Sequence, residues 1–477
     1  MNASNVSSSG WRVSRWAAAA IYAGAFISAT GTALPANAKG VDSGECDTPS
    51  TPFCDALMNP LPGWPGHVFK LSQNYPDDVK KDYKPWLKYD PITDTKRYIL
   101  SALTYFYEGN IRGNPAESES NFDPALNSRR NWYHAPWQDH GKEGREFIHG
   151  LTRERVSEPL ELAKTQKSYW NNYAVGFYNE PGGVTFGKVW KDHGKPDPNA
   201  AIFPEGTVSG KLLFTTATPN EVPYLAGAPE WKAYVYCDVH DPNPTQDSKR
   251  CVTTVRLLQI DIAVKDNRSP ATGWVFGTFV YGGAKPPKTN LSGSSELAVG
   301  DGRPKLKPLR NWEQVYPVGV MWGNDPGYTG SGKLTQTWLN PDVKLPHYGY
   351  QNRLNGPVDN PRSACMSCHS TSQWPLSADL IPPKGASDYV TAWWFRNIPS
   401  GTPFGPGMPP EPPPPQGTQP ASDNVHRVSL DYSLQLAGGI RNFYKANQQL
   451  IEKMFPKASA DDVKAYLGKP VTRSGDE

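Results

Sequence analysis

Three residues late in the chain have the types and the spacing to hold a metal-containing cofactor. Cys365, Cys368 and His369 form the pattern Cys-x-x-Cys-His, which is the attachment pattern of c-type haem. Two thiols at this spacing reach the two vinyl groups on one edge of a porphyrin, and the adjacent imidazole then lies under the ring and ligates the iron. The pattern therefore predicts one covalently attached haem c, with its iron, on these three residues.

Two other chemistries use a Cys-x-x-Cys pair. A structural zinc ion needs further Cys or His ligands at short spacing, and none follows His369. A redox-active pair needs a strand-helix context, which the flanking sequence lacks. A chance occurrence is the remaining alternative. Haem attachment is the favoured interpretation because the chain also begins with an export signal, described below.

The second axial position of the iron has one sulfur candidate. Met408 lies in the loop Gly405-Pro-Gly-Met-Pro-Pro410, 39 residues beyond His369, and this loop resembles the Met-Pro loops that supply the distal thioether in small electron-transfer cytochromes c. Met408 is thus predicted as a second haem and iron ligand, with an ordinary loop methionine as the alternative. Met366 is held within the attachment loop and is not expected to cross the ring. Other histidines are further possibilities, each with the more ordinary explanation of a surface or hydrogen-bonded side chain: His134, His140, His149, His193, His240, His347 and His426.

The first 38 residues predict export. Arg12 and Arg15 precede an Ala-rich apolar run from Trp16 to Leu34, and Ala36-Asn-Ala38 has the small-x-small form of a signal-peptide cleavage site. A membrane anchor is the alternative, since the run is nearly long enough to span a bilayer, but Ser, Thr and Gly dilute it. We therefore expect cleavage before Lys39, a periplasmic location and no stable membrane span after cleavage.

The composition narrows the class of protein. The 49 Lys and Arg nearly balance the 46 Asp and Glu, giving a net charge of +3, so nucleic acid is not an expected partner. The 43 Gly and 48 Pro of 477 residues exceed the usual share, and 12% of the residues are aromatic. These values favour a loop-rich globular protein with an aromatic core, and they exclude a coiled coil or a wholly disordered chain. The expected partner is a redox protein or a small-molecule substrate, and the oligomeric state stays open.

In an exported protein the other four cysteines favour disulfides. Cys237 ends one apolar run and Cys251 begins the next, with the turn-forming Asp-Pro-Asn-Pro-Thr-Gln between them. A disulfide across the mouth of a hairpin is therefore predicted. Cys46 and Cys54 form a second local pair, and buried thiols are the alternative for all four cysteines.

An antiparallel sheet is the expected support for this chemistry. Short β-branched or aromatic runs, separated by Pro, Gly and Asn, follow one another from about 171 to 283, which favours a sheet or barrel over alternating strands and helices. Helical spacing predicts helices over Thr93–Tyr107 and Leu430–Phe455, and Ser459 with Asp462 predicts the start of a short last helix. The predicted strands are Val184–Trp190, Thr207–Thr216, Trp231–Cys237, Val252–Val264 and Gly273–Tyr281.

The predicted fold class is α+β, with an antiparallel β-sheet or barrel core, added helices, long Pro/Gly-rich loops and a haem attached after the sheet. Gly327–Lys333 nearly spells a phosphate loop, but Leu334 stands where a Ser or Thr would hold magnesium, so a glycine turn is predicted there. In chain order the segments are a signal peptide (1–38), a Pro-rich and helical N-terminal region (39–170), the β core (171–283), a loop-rich connection (284–352), the haem-attachment segment (353–410) and a polyproline spacer with C-terminal helices (411–477).

Three segments in this order resemble the cytochrome P-460 family and its relative cytochrome c′-beta. They are Val189–Gly194 leading to Phe203–Lys211, Ala263–Asp266 leading to Gly273–Phe279, and the haem pattern, which in that family also follows the sheet. Small helical cytochromes c instead carry the pattern near the start of the domain, whereas roughly 325 mature residues precede it here.

The resemblance implies an antiparallel β haem domain with His369 as the proximal ligand and a distal face open to small ligands. Lys211 matches by position the strand lysine that is cross-linked to the porphyrin in the P-460 branch, whose members oxidise hydroxylamine or related nitrogen species. Members of the c′-beta branch lack the cross-link and bind nitric oxide.

Lys211 and Glu205 are accordingly the predicted catalytic residues of a haem-dependent oxidoreductase, with a solvated strand lysine as the alternative for Lys211. The competing prediction is a non-enzymatic electron carrier with His369 and Met408 as axial ligands. The family's chains are much shorter, and the resemblance covers only about 185–285 and 360–372.

Overall fold

The computed structural model describes most of the chain after position 72. All of the described residues belong to one unit, Ala38–Glu477. The predicted signal peptide, Cys46, Cys54, Met408, the polyproline spacer and the helix expected from Ser459 lie outside them. The described residues are 53, 72–80, 84–111, 122–138, 150–240, 248, 250–282, 312–375, 378–405, 427–454 and 467.

An antiparallel sheet of eight strands is the centre of the fold, so the predicted antiparallel β core is confirmed. Its strand order is β1-β2-β3-β5-β6-β7-β8, and β4 pairs with β5. The segment between β5 and β6 runs only from 266 to 273, which suits antiparallel neighbours. A second sheet has only two strands, β9 and β10. The strand bounds are β1 Thr152–Arg153, β2 Asn172–Tyr178, β3 Val208–Thr215, β4 Glu230–Tyr236, β5 Arg250–Lys265, β6 Trp274–Tyr281, β7 Val315–Met321, β8 Thr337–Leu339, β9 Gln373–Trp374 and β10 Val428–Ser429.

Helices flank the sheet and make the fold α+β. Within the described residues, none of them combines the length and the hydropathy that crossing a bilayer requires. The helix predicted over Thr93–Tyr107 is present, whereas the pattern over Leu430–Phe455 forms two helices that meet at Asn447. The helix bounds are α1 Thr95–Tyr107, α2 Glu180–Val189, α3 Cys365–His369, α4 Asp388–Ala392, α5 Leu434–Ala446 and α6 Gln448–Met454.

The strand predicted over Val184–Trp190 is wrong, because these residues form most of α2. The helix is started by Asn179, whose side chain accepts a hydrogen bond from Gly182 N, and by Pro181 in the first turn. Both are strong N-terminal signals. They outweigh the β-branched and aromatic residues that favoured a strand.

Strand β7 lies in the segment 284–352, for which the sequence predicts a loop-rich connection. Pro317 and Gly319 interrupt its apolar pattern. Pro317 is tolerated because it pairs with Phe279 where the β6–β7 register shifts, and a bulge is one of the few places for proline in a sheet. The segment 327–333, whose sequence resembles a phosphate loop, is a turn with positive φ at Gly327, Gly330 and Gly332.

The two faces of the sheet differ because side chains alternate along each strand. On the apolar face, Gly210 and Gly277 lie against Phe106 and Ile99 of α1, so closely that an added Cβ would be 2.3 Å from each side chain. This face also carries Val208, Leu212, Ile260, Ile262, Val264, Val275 and Phe279. The opposite face, here called the cavity face, carries Ser209, Lys211, Asp261, Ala263, Phe276 and Thr278.

Candidate functional site

The residues of the Cys-x-x-Cys-His pattern lie on a single turn of helix, α3. Positions i, i+3 and i+4 of a helix share one side, and Cys365, Cys368 and His369 accordingly line one cavity. Met366 is fully buried in the core and does not line the cavity. Because of this helical turn, two thiols and an imidazole face the same cavity.

Backbone and hydroxyl hydrogen bonds hold α3 in place. Cys365 N donates to Leu354 O at 3.1 Å, and Cys368 N donates to Ala364 O at 3.1 Å. The Ser367 hydroxyl accepts from Ala364 N at 2.8 Å. Because these bonds satisfy Ala364 N and Cys365 N at the start of the helix and close its turn at Cys368 N, they hold the backbone that carries the three functional side chains.

The cavity lies between α3 and the cavity face of the sheet. It contains about 810 Å³ of space not filled by protein atoms, a volume that includes open solvent at its mouth. Besides the α3 residues, its wall is formed by Tyr178, Ser209, Lys211, Asp261, Ala263, Phe276, Gly277, Thr278, Asn355, Asp359, Asn360, Ser363, Ile381, Leu434 and Gln435.

The imidazole of His369 is oriented by a backbone carbonyl. Its Nδ1 lies 2.9 Å from Tyr432 O, and a carbonyl can only accept, so Nδ1 carries the hydrogen. In the neutral ring the lone pair is then on Nε2, the arrangement typical of a metal-ligating histidine. The ring also contacts Phe276, with 4.9 Å between the centroids.

The two thiols of α3 differ from a redox-active pair. Neither Cys365 nor Cys368 is in a disulfide. Burial raises the pKa of the Cys365 thiol well above its usual range, and the carboxylates of Asp359 and Asp261 act in the same direction. Redox pairs depend on a lowered thiol pKa. This environment therefore favours a protonated thiol.

The other described cysteines form the predicted disulfide. Cys237 and Cys251 are bonded, with 5.9 Å between their Cα atoms. They lie where β4 ends and β5 begins, and the neighbouring Tyr236 and Arg250 are paired in the sheet. The disulfide therefore closes the mouth of the β4–β5 hairpin, and its predicted pairing is confirmed.

Lys211 lies on the wall of the same cavity. Its ammonium forms an ion pair with Asp261 across β3 and β5, with 3.6 Å between Nζ and Oδ2, and its side chain is 13% exposed. Asp261 also accepts hydrogen bonds from Gln259 Nε2 at 2.9 Å and from Thr278 Oγ1 at 3.0 Å. Thr278 Oγ1 in turn lies 3.4 Å from Cys365 Sγ. A series of polar contacts thus connects Lys211 to the Cys365 thiol.

Glu205 is not brought to this cavity. It precedes β3, and its carboxylate accepts a hydrogen bond from Asn267 N at 3.0 Å, while its carbonyl accepts one from Lys84 Nζ. Burial raises its pKa. Glu205 is therefore placed beside the end of β5, away from the haem pattern. Met408 lies outside the described residues.

The described histidines other than His369 do not line the cavity either. His134 is buried, with Nδ1 2.9 Å from Gly176 O. The ring of His193 packs on Phe53 with 4.5 Å between centroids. His240 and His347 lie in other parts of the fold, and His140, His149 and His426 lie outside the described residues.

Two important contributions to the site were missed from the sequence. The acceptor for His369 is a main-chain carbonyl, so the identity of Tyr432 gave no signal. Asp261 did give a signal, because a charged residue inside the apolar run of β5 is unusual in a buried strand. A search for such residues would have found it.

Over the part of the chain that the structure describes, no group of three or more His, Cys, Asp or Glu side chains could hold a metal ion. No family model, no curated protein and no solved structure matches this chain.

Proposed function

We propose that the chain is a periplasmic c-type cytochrome with one covalently attached haem and redox activity. Cys365 and Cys368 would hold the haem through thioether bonds, and His369 Nε2 would ligate the iron. One observation carries the proposal: a single turn of helix presents both thiols and a carbonyl-oriented imidazole to one cavity.

The residues fit the group chemically. Each thioether forms when a thiol S–H adds across a vinyl double bond, with sulfur bonding to one carbon and hydrogen to the other, so no oxidant is consumed. Thiols kept out of disulfides are the required starting state, and Cys365 and Cys368 are in it. Apolar side chains suited to a macrocycle also line the cavity: Phe276, Ile381 and Leu434.

When bound, the haem supplies one-electron redox chemistry and an iron site for a small ligand. The chain's own residues set the conditions for this chemistry. The Tyr432 carbonyl keeps the proton of His369 on Nδ1 and raises the basicity of the ligand. The Lys211–Asp261 pair provides a cation and an anion at the cavity wall.

Within this class we propose that the protein oxidises or binds small nitrogen species, such as hydroxylamine or nitric oxide. The resemblance to the cytochrome P-460 and c′-beta families suggests this chemistry. It is supported by the location of Lys211, the residue that matches the cross-linked lysine, beside the attachment residues. A cross-link would require the Lys211 amine to leave Asp261. Glu205 has no part in the proposal, because it lies away from the cavity.

The first experiment measures covalent haem in the protein exported to the periplasm. Acid-acetone extraction followed by a pyridine haemochrome spectrum is expected to give one haem per chain. The double variant Cys365→Ala, Cys368→Ala is expected to lose it completely. The matched control, Cys237→Ala with Cys251→Ala, removes two cysteines of the disulfide and should keep the haem. Wild type without covalent haem, or haem resisting extraction in the first variant, would refute the proposal.

The second experiment decides which kind of cytochrome it is. Absorption spectra are recorded for the ferric protein and after dithionite reduction. A broad, red-shifted Soret band on reduction indicates a modified macrocycle and a Lys211 cross-link. Sharp low-spin bands indicate a filled sixth position and favour the electron carrier, in which case Met408→Ala tests Met408 as the ligand.

A further inference from the structure

We propose that a buried ionic network centred on Asp431 positions His369 and thereby sets the reduction potential of the iron. This inference rests on the proposed function, because it assumes a haem ligated by His369. Lys265 and Asp431 do not line the cavity. Both are positioning residues that act through the backbone of Tyr432.

The carbonyl that orients His369 belongs to a turn with an unfavourable backbone. Asp431 has φ +47 and Tyr432 has φ +69. Left-handed conformations are costly for residues other than glycine, and more so for a bulky residue such as Tyr than for Asp. The surroundings must hold this turn, and with it the acceptor of His369 Nδ1.

The carboxylate of Asp431 is the point at which the turn is held. It accepts hydrogen bonds from Trp274 Nε1 at 2.9 Å, from Ser400 Oγ at 2.7 Å and from Phe203 N at 3.1 Å. It also pairs with Lys265 at 3.3 Å, and the two side chains are 0% and 6% exposed. A buried carboxylate with four partners fixes the position of its own backbone and of the next residue.

The other end of the network belongs to the sheet. Lys265 is the last residue of β5 and is paired with Trp274 of β6. Its amide donates to Thr207 O at 2.9 Å, and its ammonium also contacts Ser400 Oγ. The network therefore joins the turn at 431–432 to the ends of two strands, independently of α3.

The network should lower the potential of the iron. A firmly placed acceptor for Nδ1–H raises the basicity of the imidazole, and a more basic ligand favours ferric iron. Loosening the turn weakens that hydrogen bond. Variants of the network should therefore have a higher midpoint potential than the wild type.

The test compares midpoint potentials of the haem-loaded full-length protein. Lys265→Met, Asp431→Asn and Ser400→Ala should all shift the potential upward, with Ser400→Ala smallest. Asn tolerates a left-handed φ, so Asp431→Asn removes the charge without a backbone penalty. Ser400→Ala is the mildest change and serves if Lys265→Met does not fold.

The direction of the shifts separates positioning from simple charge effects. Removing the positive charge of Lys265 would lower the potential through space, and removing the negative charge of Asp431 would raise it. Opposite shifts in these two variants, or no shift in all three, would overturn the proposal. The control is Glu108→Gln, which breaks the half-buried Arg130–Glu108 pair, 2.8 Å apart on α1's side of the sheet. It should lower stability without moving the potential.

A second readout does not need haem. In the haem-free full-length chain, ¹H–¹⁵N correlation spectra report the tautomer of each histidine, with His369→Gln assigning the signal of His369. The wild type should carry its proton on Nδ1, and Asp431→Asn and Lys265→Met should give a mixture. Wild-type spectra in both variants would reject the positioning role. Failure to attach haem rejects the proposed function alone.

Discussion

The apolar face and the cavity face are made by the same strands, yet they carry different side chains. On β3, Leu212 packs in the core on one side while its neighbour Lys211 lines the cavity on the other. On β5, Ile260 and Asp261 are divided in the same way. The apolar face is covered by the long helix α1, whereas the cavity face is covered by the single turn of α3, by loops and by the first residues of α5.

This difference teaches how a buried charged site can be tolerated. Lys211, Asp261 and the thiol of Cys365 are polar groups held largely away from water, which costs stability. The apolar face, with its ring contacts to α1, supplies compensating burial through the same backbone. Substitutions on the two faces should therefore separate stability from haem chemistry.

The largest effect on stability is expected from Phe106→Ala. Phe106 is fully buried, and its ring packs against Gly210 on the apolar face. Deleting such a ring costs about 3–5 kcal/mol of unfolding free energy, which denaturant titration measures. The absorption spectrum of the folded, haem-loaded variant should equal that of the wild type. A changed spectrum would mean that the two faces are coupled.

The next largest effect on stability is expected from a matched pair of glycine substitutions. An added methyl at Gly210 would meet the buried Phe106 ring at 2.3 Å, whereas one at Gly176 would meet the end of the flexible Gln435 side chain at 2.2 Å. Gly210→Ala should cost about 1–3 kcal/mol. Gly176→Ala should cost less, because the amide can move. The same unfolding measurement checks both, and equal losses would contradict the contrast between a packed face and a cavity.

Asp261→Asn should change both the stability and the haem. The Asp261 and Lys211 side chains are only 21% and 13% exposed, so the variant leaves a largely buried cation without its counter-charge and should cost about 1–3 kcal/mol of unfolding free energy. Removing a carboxylate from the wall favours ferrous iron and should raise the midpoint potential. Potentiometric titration of the haem-loaded protein measures this. An unchanged potential would show that this face is screened from the iron.

The smallest expected effect is on the pH dependence of the unfolding free energy. It concerns the carboxylate of Asp266, which contacts Tyr98 of α1. Tyr98 OH donates to Asp266 Oδ2 at 2.9 Å, and Arg268 binds the same carboxylate at 2.6 Å. Burial raises the pKa of Asp266, but the bonds from Arg268 and Tyr98 outweigh it and leave that pKa below its usual 3.8. The stability from this group is therefore present above pH 3.8 and lost as pH falls through the lower folded-state value.

Unfolding free energies measured from pH 5 to pH 2 test this assignment. Asp266→Asn should show a shallower decline than the wild type. The haem spectrum of the folded protein should be the same in both. Parallel curves would assign the acid sensitivity to other carboxylates.

The parts of the structure that were predictable depend on local signals. The strands β3 to β6 and the helix α1 follow from apolar periodicity within single segments, and the Cys237–Cys251 disulfide follows from two runs joined by a turn. The haem pattern is also local, because Cys365, Cys368 and His369 need only one helical turn to align. Each of these depends on residues close together in the chain.

The remaining parts depend on contacts between distant segments. Asp431 gives no sign in the sequence that Lys265 and Trp274 will surround it, since 166 and 157 residues separate them. The family resemblance predicts Glu205 as a catalytic residue because it lies in the matched segment Phe203–Lys211, but its carboxylate accepts a hydrogen bond from Asn267 N. The strand predicted at Val184–Trp190 failed because Asn179 and Pro181 start a helix before it.

The hydrogen bond between His369 and Tyr432 spans 63 residues, and this has a consequence for biogenesis. A chain that emerges from its N-terminus exposes the strands of the cavity face first, then the two cysteines, and only later the carbonyl that orients the histidine. Under the proposed function, the two thiols would be open to haem attachment before the C-terminal segment docks. Docking would then place the carbonyl that accepts from His369 Nδ1.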